Sequence, residues 1–237
     1  NIIGVFMRNW EEKEANGHCS SHKDYRDVSR VCSLLDIPLT SVNFVKEYNE
    51  LVFKRFLHFY RQGQTPNPDI LCNQHIKFDA FFNKALSLGA DYLATGHYCK
   101  VDSGELYKAE DGSKDQTYFL HGINPSVLKK VLFPLGGLLK KDVRLIAKKH
   151  NLPTYDKKDS TGICFIGERK FQPFLEQYIK TKPGNFCLLN GDVVGKHQGA
   201  QFYTLGQRRH LGLGGEGARW YVVDKNITTN TVYVERN

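Results

Sequence analysis

The N-terminal part of the chain alternates between short apolar strand patterns and amphipathic helix patterns, and this alternation restricts the fold more than any other feature. Asn1-Ile2-Ile3-Gly4-Val5-Phe6-Met7 reads as a buried strand. Residues 23–35 place Tyr25, Val28, Val31, Cys32 and Leu35 on one helical face, and Leu39 to Phe44 reads as a second strand. Glu47 to Arg61 is helical, with Tyr48, Leu51, Val52, Phe56 and Tyr60 on its apolar side. A turn region over Gln64–Asn73 leads into a helix from Ile76 to Leu88, which Gly89 closes. Asp91 to His97 is a third strand that runs into a glycine turn. Strands separated by helices pair in parallel, because a helix is long enough to carry the chain back to the starting edge. Ligands of such sheets lie beyond the carboxyl ends of the strands, so Met7, Gly96 and His97 are candidate pocket residues. A chain that opens inside a central strand is expected to have further sequence before Asn1.

Beyond Leu120 the texture changes. Thr117-Tyr118-Phe119-Leu120 is strand-like. Pro125–Val131 and Lys141–His150 are short helices, the second with Val143, Ile146 and Ala147 turned inward, and Phe171–Ile179 is another. From Gly184 short strands with glycine turns take over: Phe186–Leu189, a turn at Asn190-Gly191, then Trp220–Asp224 and Thr231–Glu235. The 237 residues suffice for two modest domains, divided here into 1–128 and 129–237, with residues 160–172 packing back on the first. A formal charge of +8, concentrated in Lys129, Lys130, Lys140, Lys141, Arg144, Lys148 and Lys149, favours a polyanionic partner such as nucleic acid. No apolar run approaches the roughly 20 residues of a membrane helix, and no leader with a cleavage site is apparent.

The six cysteines form no C-x-x-C pair, which argues against a zinc ribbon, and His18-Cys19-Ser20-Ser21-His22 has no second ligand pair to complete a metal site. Two of the thiols sit among turn-forming residues, in Thr65-Pro66-Asn67-Pro68-Asp69-Ile70-Leu71-Cys72-Asn73 and in Asp159-Ser160-Thr161-Gly162-Ile163-Cys164-Phe165-Ile166-Gly167. Asp69 precedes Cys72 by three residues at the entry to a helix, where a thiol's pKa falls and the nucleophilic thiolate is favoured. Taken alone, the same residues also fit an N-cap aspartate and a packed cysteine, and Cys164 beside Phe165 and Ile166 also fits a half-buried structural thiol. Lys114-Asp115-Gln116 offers groups that meet phosphate, ribose or base edges, or simply a solvated turn. His197 to His210 interleaves aromatic, Gln and Arg side chains in the manner of an RNA-contacting loop, or of a basic hairpin.

Together these segments resemble one family, the tRNA-specific 2-thiouridylases of bacteria and mitochondria. The resemblance runs through Phe6-Met7-Arg8-Asn9-Trp10, the two cysteine motifs, Ile76-Lys77-Phe78, Ala94-Thr95-Gly96-His97-Tyr98, Lys114 to Leu120 and Tyr203-Thr204-Leu205-Gly206-Gln207-Arg208. It implies a parallel α/β ATP pyrophosphatase (PP-loop) domain, followed by a smaller α+β central domain that binds tRNA. The family's Ser-Gly-Gly-Val-Asp-Ser-type phosphate loop would lie upstream of Asn1 and its C-terminal β-barrel downstream of Asn237, so these residues alone are expected to be inactive. The implied activity is ATP-dependent thiolation of C2 of the wobble uridine, with ATP and Mg2+ adenylating the base. By motif position Cys164 carries the persulfide, Cys72 releases its sulfur and ends in a transient disulfide with Cys164, and Asp69 is the acid/base residue. Asn67, Pro68 and Asp69 would contact the target base, Met7 and Gly96 would contact ATP, and Lys114, Asp115 and Gln116 would contact tRNA. The implied partners are tRNA and a sulfur-relay protein or cysteine desulfurase. The protein would be a monomer in the bacterial cytoplasm or an organelle matrix. A non-catalytic RNA-binding fragment and another ATP pyrophosphatase-type ligase are the competing readings.

Overall fold

A computed structural model describes residues 1–11, 20–159, 163 and 171–236. Cys164, Ser160–Gly162 and the His18-Cys19 pair lie outside the described residues. The chain forms two compact units: Asn1–Phe53 with Pro68–Thr161, and Lys54–Asn67 with Gly162–Asn237. The division expected at residue 128 falls inside the first of these.

In the first unit, β1 (Gly4–Arg8) pairs in parallel with β2 (Leu39–Asn43), Gly4 opposite Leu39 and Arg8 opposite Asn43. Helix α1 (Ser20–Leu34) is the crossover between them. The chain then enters α2 (Val45–Tyr48), whose first amide is held by the Asn43 side chain at 3.0 Å. A π-helical stretch Asn49–Phe53 follows, and α3 (Lys54–Arg61) carries the chain into the second unit. Of the apolar positions expected on one side of this run, Tyr48, Val52, Phe56 and Tyr60 are buried and Leu51 is half-buried, while Phe53 and Leu57, which were not expected there, are buried as well.

A second helical run has α4 (Pro68–Cys72), π-helical turns over Asn73–Ala80 and α5 (Phe81–Ser87). Pro68 opens it, where the missing N–H costs nothing. The turn region expected over Gln64–Asn73 therefore ends early, and Cys72 stands on a helix instead of a reversal. The third strand contracts to β3 (Leu93–Ala94), parallel to β6 (Val131–Leu132). A hairpin of β4 (Cys99–Asp102) and β5 (Glu105–Lys108) has no counterpart in the sequence reading. Its connection is Ser103-Gly104, with φ of 51° and 84° at the two positions, the geometry that matches strand twist in a two-residue turn.

Thr117–Leu120 is a 3-10 turn, not a strand: the Phe119 amide returns to the Gln116 carbonyl at 3.0 Å and Leu120 is fully buried. Pro125–Lys130 is also 3-10 helical, with the Asn124 side chain accepting from the Ser126 amide at 3.0 Å. Helix α6 (Lys140–Lys149) half-buries Val143 and Ala147, but Ile146 points outward, contrary to expectation.

The second unit has α7 (Phe171–Glu176) and a four-stranded sheet in the order β8-β7-β10-β9. Its strands are β7 (Gly184–Cys187), β8 (Val193–His197), β9 (Trp220–Asn226) and β10 (Thr231–Arg236). Only the β7–β10 pair is parallel. Its core is Phe186, Ala200, Tyr203, Leu211, Val222, Val232 and Val234. His197 is not a solvated loop residue: it is 2% exposed, its ring 5.1 Å from Phe186 and 5.3 Å from Tyr203.

Candidate functional site

Helix geometry sets the first contact of the site. Asp69 and Cys72 are three residues apart in α4, so both side chains occupy one helical face. Both are half-buried. Burial raises the Asp69 carboxyl above its ordinary value, and the Lys77 ammonium partly opposes that rise. A carboxyl raised in this way holds its proton more readily than a solvated one. Cys72 lies beyond the first helical turn, where the pull of the helix N-terminus on a thiol fades. Cys32, Cys99 and Cys187 are buried, and burial, reinforced by Asp115, drives the Cys99 thiol up to about 12. Among the described cysteines, Cys72 is thus the one that is not buried.

Lys77 is two helical turns from Asp69, on the same side of the run. Its Nζ is 3.3 Å from Nε2 of His97, whose Nδ1 is 2.8 Å from the Thr95 hydroxyl. An ammonium has no lone pair, so Nε2 accepts and the neutral ring keeps its proton on Nδ1, which donates to Thr95. Burial, seconded by Lys77, lowers the His97 pKa to about 3. The rings of Phe78 and Phe133 enclose it at 5.7 and 6.0 Å. The buried Asn73 amide donates to the Phe119 carbonyl at 3.1 Å and so fixes the helix against the 3-10 turn.

The other sequence candidates are placed as follows. Met7 is half-buried near the end of β1, and Gly96 is exposed two residues after β3. A Cβ on Gly96 would meet only Leu135 Cδ1, at 3.8 Å, and its φ is not left-handed. Packing therefore does not require a glycine there. Pro68 is buried and Asn67 exposed. Asp115 accepts from the Ala109 amide at 2.8 Å and the Thr117 hydroxyl at 2.7 Å, and Gln116 Oε1 accepts from the Tyr98 amide at 3.0 Å. These two side chains build the loop that presents Lys114. Lys114 Nζ reaches Asp159 at 3.0 Å, where Lys140 at 3.1 Å and Arg144 at 3.3 Å converge as well. The Lys114 and Lys140 ammoniums hold the Asp159 carboxyl down to about 2. Lys77, Thr95, Lys140 and Asp159 are site neighbours that the sequence reading left without a role. The available signals were Lys77 eight positions after Asp69 and a Thr-Gly-His turn closing a strand. An open groove of about 870 Å³ beside β4–β5, lined by Lys100, Tyr107, Leu132 and Phe133 among others, includes none of the candidate site residues. The converging polar groups, more than that apolar groove, mark the site.

Comparison with known proteins settles the kinship. Residues 1–168 match the model described as the tRNA methyl transferase HUP domain, and residues 172–236 the model described as the tRNA methyl transferase PRC-barrel domain. The tRNA-specific 2-thiouridylase MnmA of Protochlamydia amoebophila is 56% identical over 241 residues, which is 100% of this chain and 64% of that protein. The chain belongs to the tRNA-specific 2-thiouridylase family. The MnmA proteins of Bacillus subtilis and Nitrosomonas eutropha are each 52% identical, covering 99% and 98% of this chain and 64% and 67% of their own length. This thiouridylase-family chain thus spans about 64% of the length of the first relatives it matches. The HUP and PRC-barrel matches agree with an α/β nucleotide-binding domain followed by a smaller, strand-rich one. No helix among the described residues is long and apolar enough to cross a membrane.

Proposed function

We propose that the protein containing this chain is an ATP-dependent tRNA sulfurtransferase that thiolates C2 of the wobble uridine. The observation that carries the reading is the half-buried Asp69–Cys72 pair on one helical face, while the other described cysteines are buried. The relatives' shared name, tRNA-specific 2-thiouridylase, supports sulfur chemistry over the methyl transfer in the family models' descriptions. ATP, with Mg2+, supplies the adenylyl group that turns the C2 oxygen into a leaving group, and Met7 and Gly96 would bind it. The terminal sulfur of a Cys164 persulfide then attacks C2, and AMP departs with the oxygen. The Cys72 thiolate attacks the inner sulfur, which forms a Cys72–Cys164 disulfide and leaves the outer sulfur on the base. A cellular thiol reductant restores both cysteines. Asp69 moves the proton at the reacting base, Asn67 and Pro68 border it, and the Lys114–Gln116 loop contacts the tRNA backbone.

The test is nucleoside mass spectrometry of tRNA treated with full-length protein, ATP and a persulfide donor. Cys164→Ser and Cys72→Ser should each abolish 2-thiouridine at least a hundredfold while tRNA binding persists. Thiolation undiminished in either variant refutes the assignment, and wild-type protein that binds tRNA without thiolating it favours the RNA-binding reading.

A further inference from the structure

We propose that Lys114, Lys140 and Arg144 form a binding site for one backbone phosphate of the tRNA, which the Asp159 carboxylate fills until the RNA displaces it; the inference rests on the tRNA reading above. Lys114 Nζ reaches Asp159 Oδ2 at 3.0 Å, while Lys140 Nζ at 3.1 Å and Arg144 Nη2 at 3.3 Å share Oδ1. Three positive charges thus face a single negative one. A phosphodiester carries one negative charge over two unbridged oxygens, as a carboxylate does, and accepts from the same donors. The terminal phosphate of a free nucleotide has a third oxygen and more charge, which makes the diester the closer match.

The three cations are set in place by contacts that do not involve Asp159. The Lys114 amide donates to the Asp111 carbonyl at 2.9 Å, and the Asp111 carboxylate accepts from the Ser113 amide at 3.1 Å and the Lys140 amide at 3.0 Å. Asp111 therefore clamps the Lys114 loop to the first residue of α6. Arg144 lies one helical turn beyond Lys140, on the same face. Its guanidinium donates to the Tyr155 carbonyl at 3.0 Å and the Lys157 carbonyl at 2.9 Å. Lys140 Nζ also stands 5.3 Å from the centre of the buried Tyr98 ring. Lys157 is tied in turn to Asp24 at 3.0 Å and Asp27 at 2.7 Å on α1. Residues 155–157 consequently keep their anchors when the carboxylate leaves. Asp159 itself is exposed, and ion pairs open to water are held weakly. The exchange trades one set of charge-assisted contacts for another and leaves no charge buried without a partner.

A carboxylate that occupies the site competes with the RNA, and its removal separates this role from a structural one. With full-length protein and tRNA in filter binding, Asp159→Asn should tighten tRNA binding at least threefold. Lys140→Gln and Arg144→Gln should each weaken it at least threefold and reduce the slope of log affinity against log salt by about 1. In the double variant Lys140→Gln with Arg144→Gln, adding Asp159→Asn should change affinity less than twofold. Because Arg144 also holds two carbonyls, Lys140→Gln is the deciding single variant, with its melting temperature measured alongside. Asp159→Asn that weakens tRNA binding or leaves it unchanged overturns the proposal. So does wild-type affinity and salt slope in Lys140→Gln. ATP binding, followed by calorimetry, should be the same in Lys140→Gln as in wild type; a loss there with tRNA affinity intact overturns the proposal and gives the site to a nucleotide phosphate. Wild-type full-length protein that binds no tRNA sinks the functional reading as well, whereas wild-type protein that thiolates tRNA beside unaltered variants sinks this inference alone.

Discussion

His97 shows how a single side chain ties stability to pH at this site. Its folded pKa is about 3, against about 6.5 for an unperturbed imidazole. Between those values the unfolded chain binds a proton that the folded protein refuses. Its contribution to stability is therefore complete above pH 6.5 and is lost as pH falls toward 3. Unfolding free energies from urea titrations over that window should decline with a slope approaching about 1.4 kcal/mol per pH unit, and His97→Gln should flatten it. Two glycines make a second pair of tests. A Cβ on Gly136 would stand 2.0 Å from the Cys99 carbonyl oxygen, whereas one on Gly96 meets nothing closer than 3.8 Å. Gly136→Ala should cost about 1–3 kcal/mol or more in thermal unfolding. Gly96→Ala should leave stability within about 0.5 kcal/mol and weaken ATP binding, measured by calorimetry. The Asp69–Cys72 pair was legible in the sequence because helical spacing is local. The Lys77–His97–Thr95 chain was not, because it joins a helix to the end of a separate strand.

At the scale of elements, the run from Pro68 to Ser87 is the support of the site: it carries Asp69, Cys72 and Lys77 and also covers His97 with Phe78. The Phe78 backbone, at φ −102° and ψ 15°, leaves helical geometry just where the ring turns onto His97. Phe78→Ala should cost about 3–5 kcal/mol in denaturant unfolding and, by admitting water to the imidazole, move the His97 pKa back toward its ordinary value in an NMR titration. Helical runs were visible beforehand because their apolar period repeats over several turns. The β4–β5 hairpin was invisible because each strand has only four residues and most of them are partly or wholly exposed. Thr117–Leu120 misled for a related reason: its β-branched and aromatic composition suggested a strand, but its amides are satisfied by a local turn and Leu120 by the core.

At the scale of the whole chain, the +8 charge is the feature that bears on the proposed binding of RNA. Each phosphate neutralised releases counterions, so raising salt from about 50 to about 200 mM should weaken tRNA binding by the full-length protein at least tenfold in filter binding. The assignment of Lys54–Asn67 to the second unit is a fact of the same scale. It rests on contacts such as Arg61 Nη2 to the Tyr178 carbonyl at 3.1 Å, and the Phe56 and Phe171 rings at 6.5 Å. Local reading established the alternation of strand and helix, the apolar faces, the cysteine motifs and the family, because each is written in neighbouring residues. Three matters were left to the tertiary structure: which strands pair, where the units divide, and which polar groups surround Asp159. Their partners lie tens to more than a hundred positions apart, and only the packing of the core decides which of them meet.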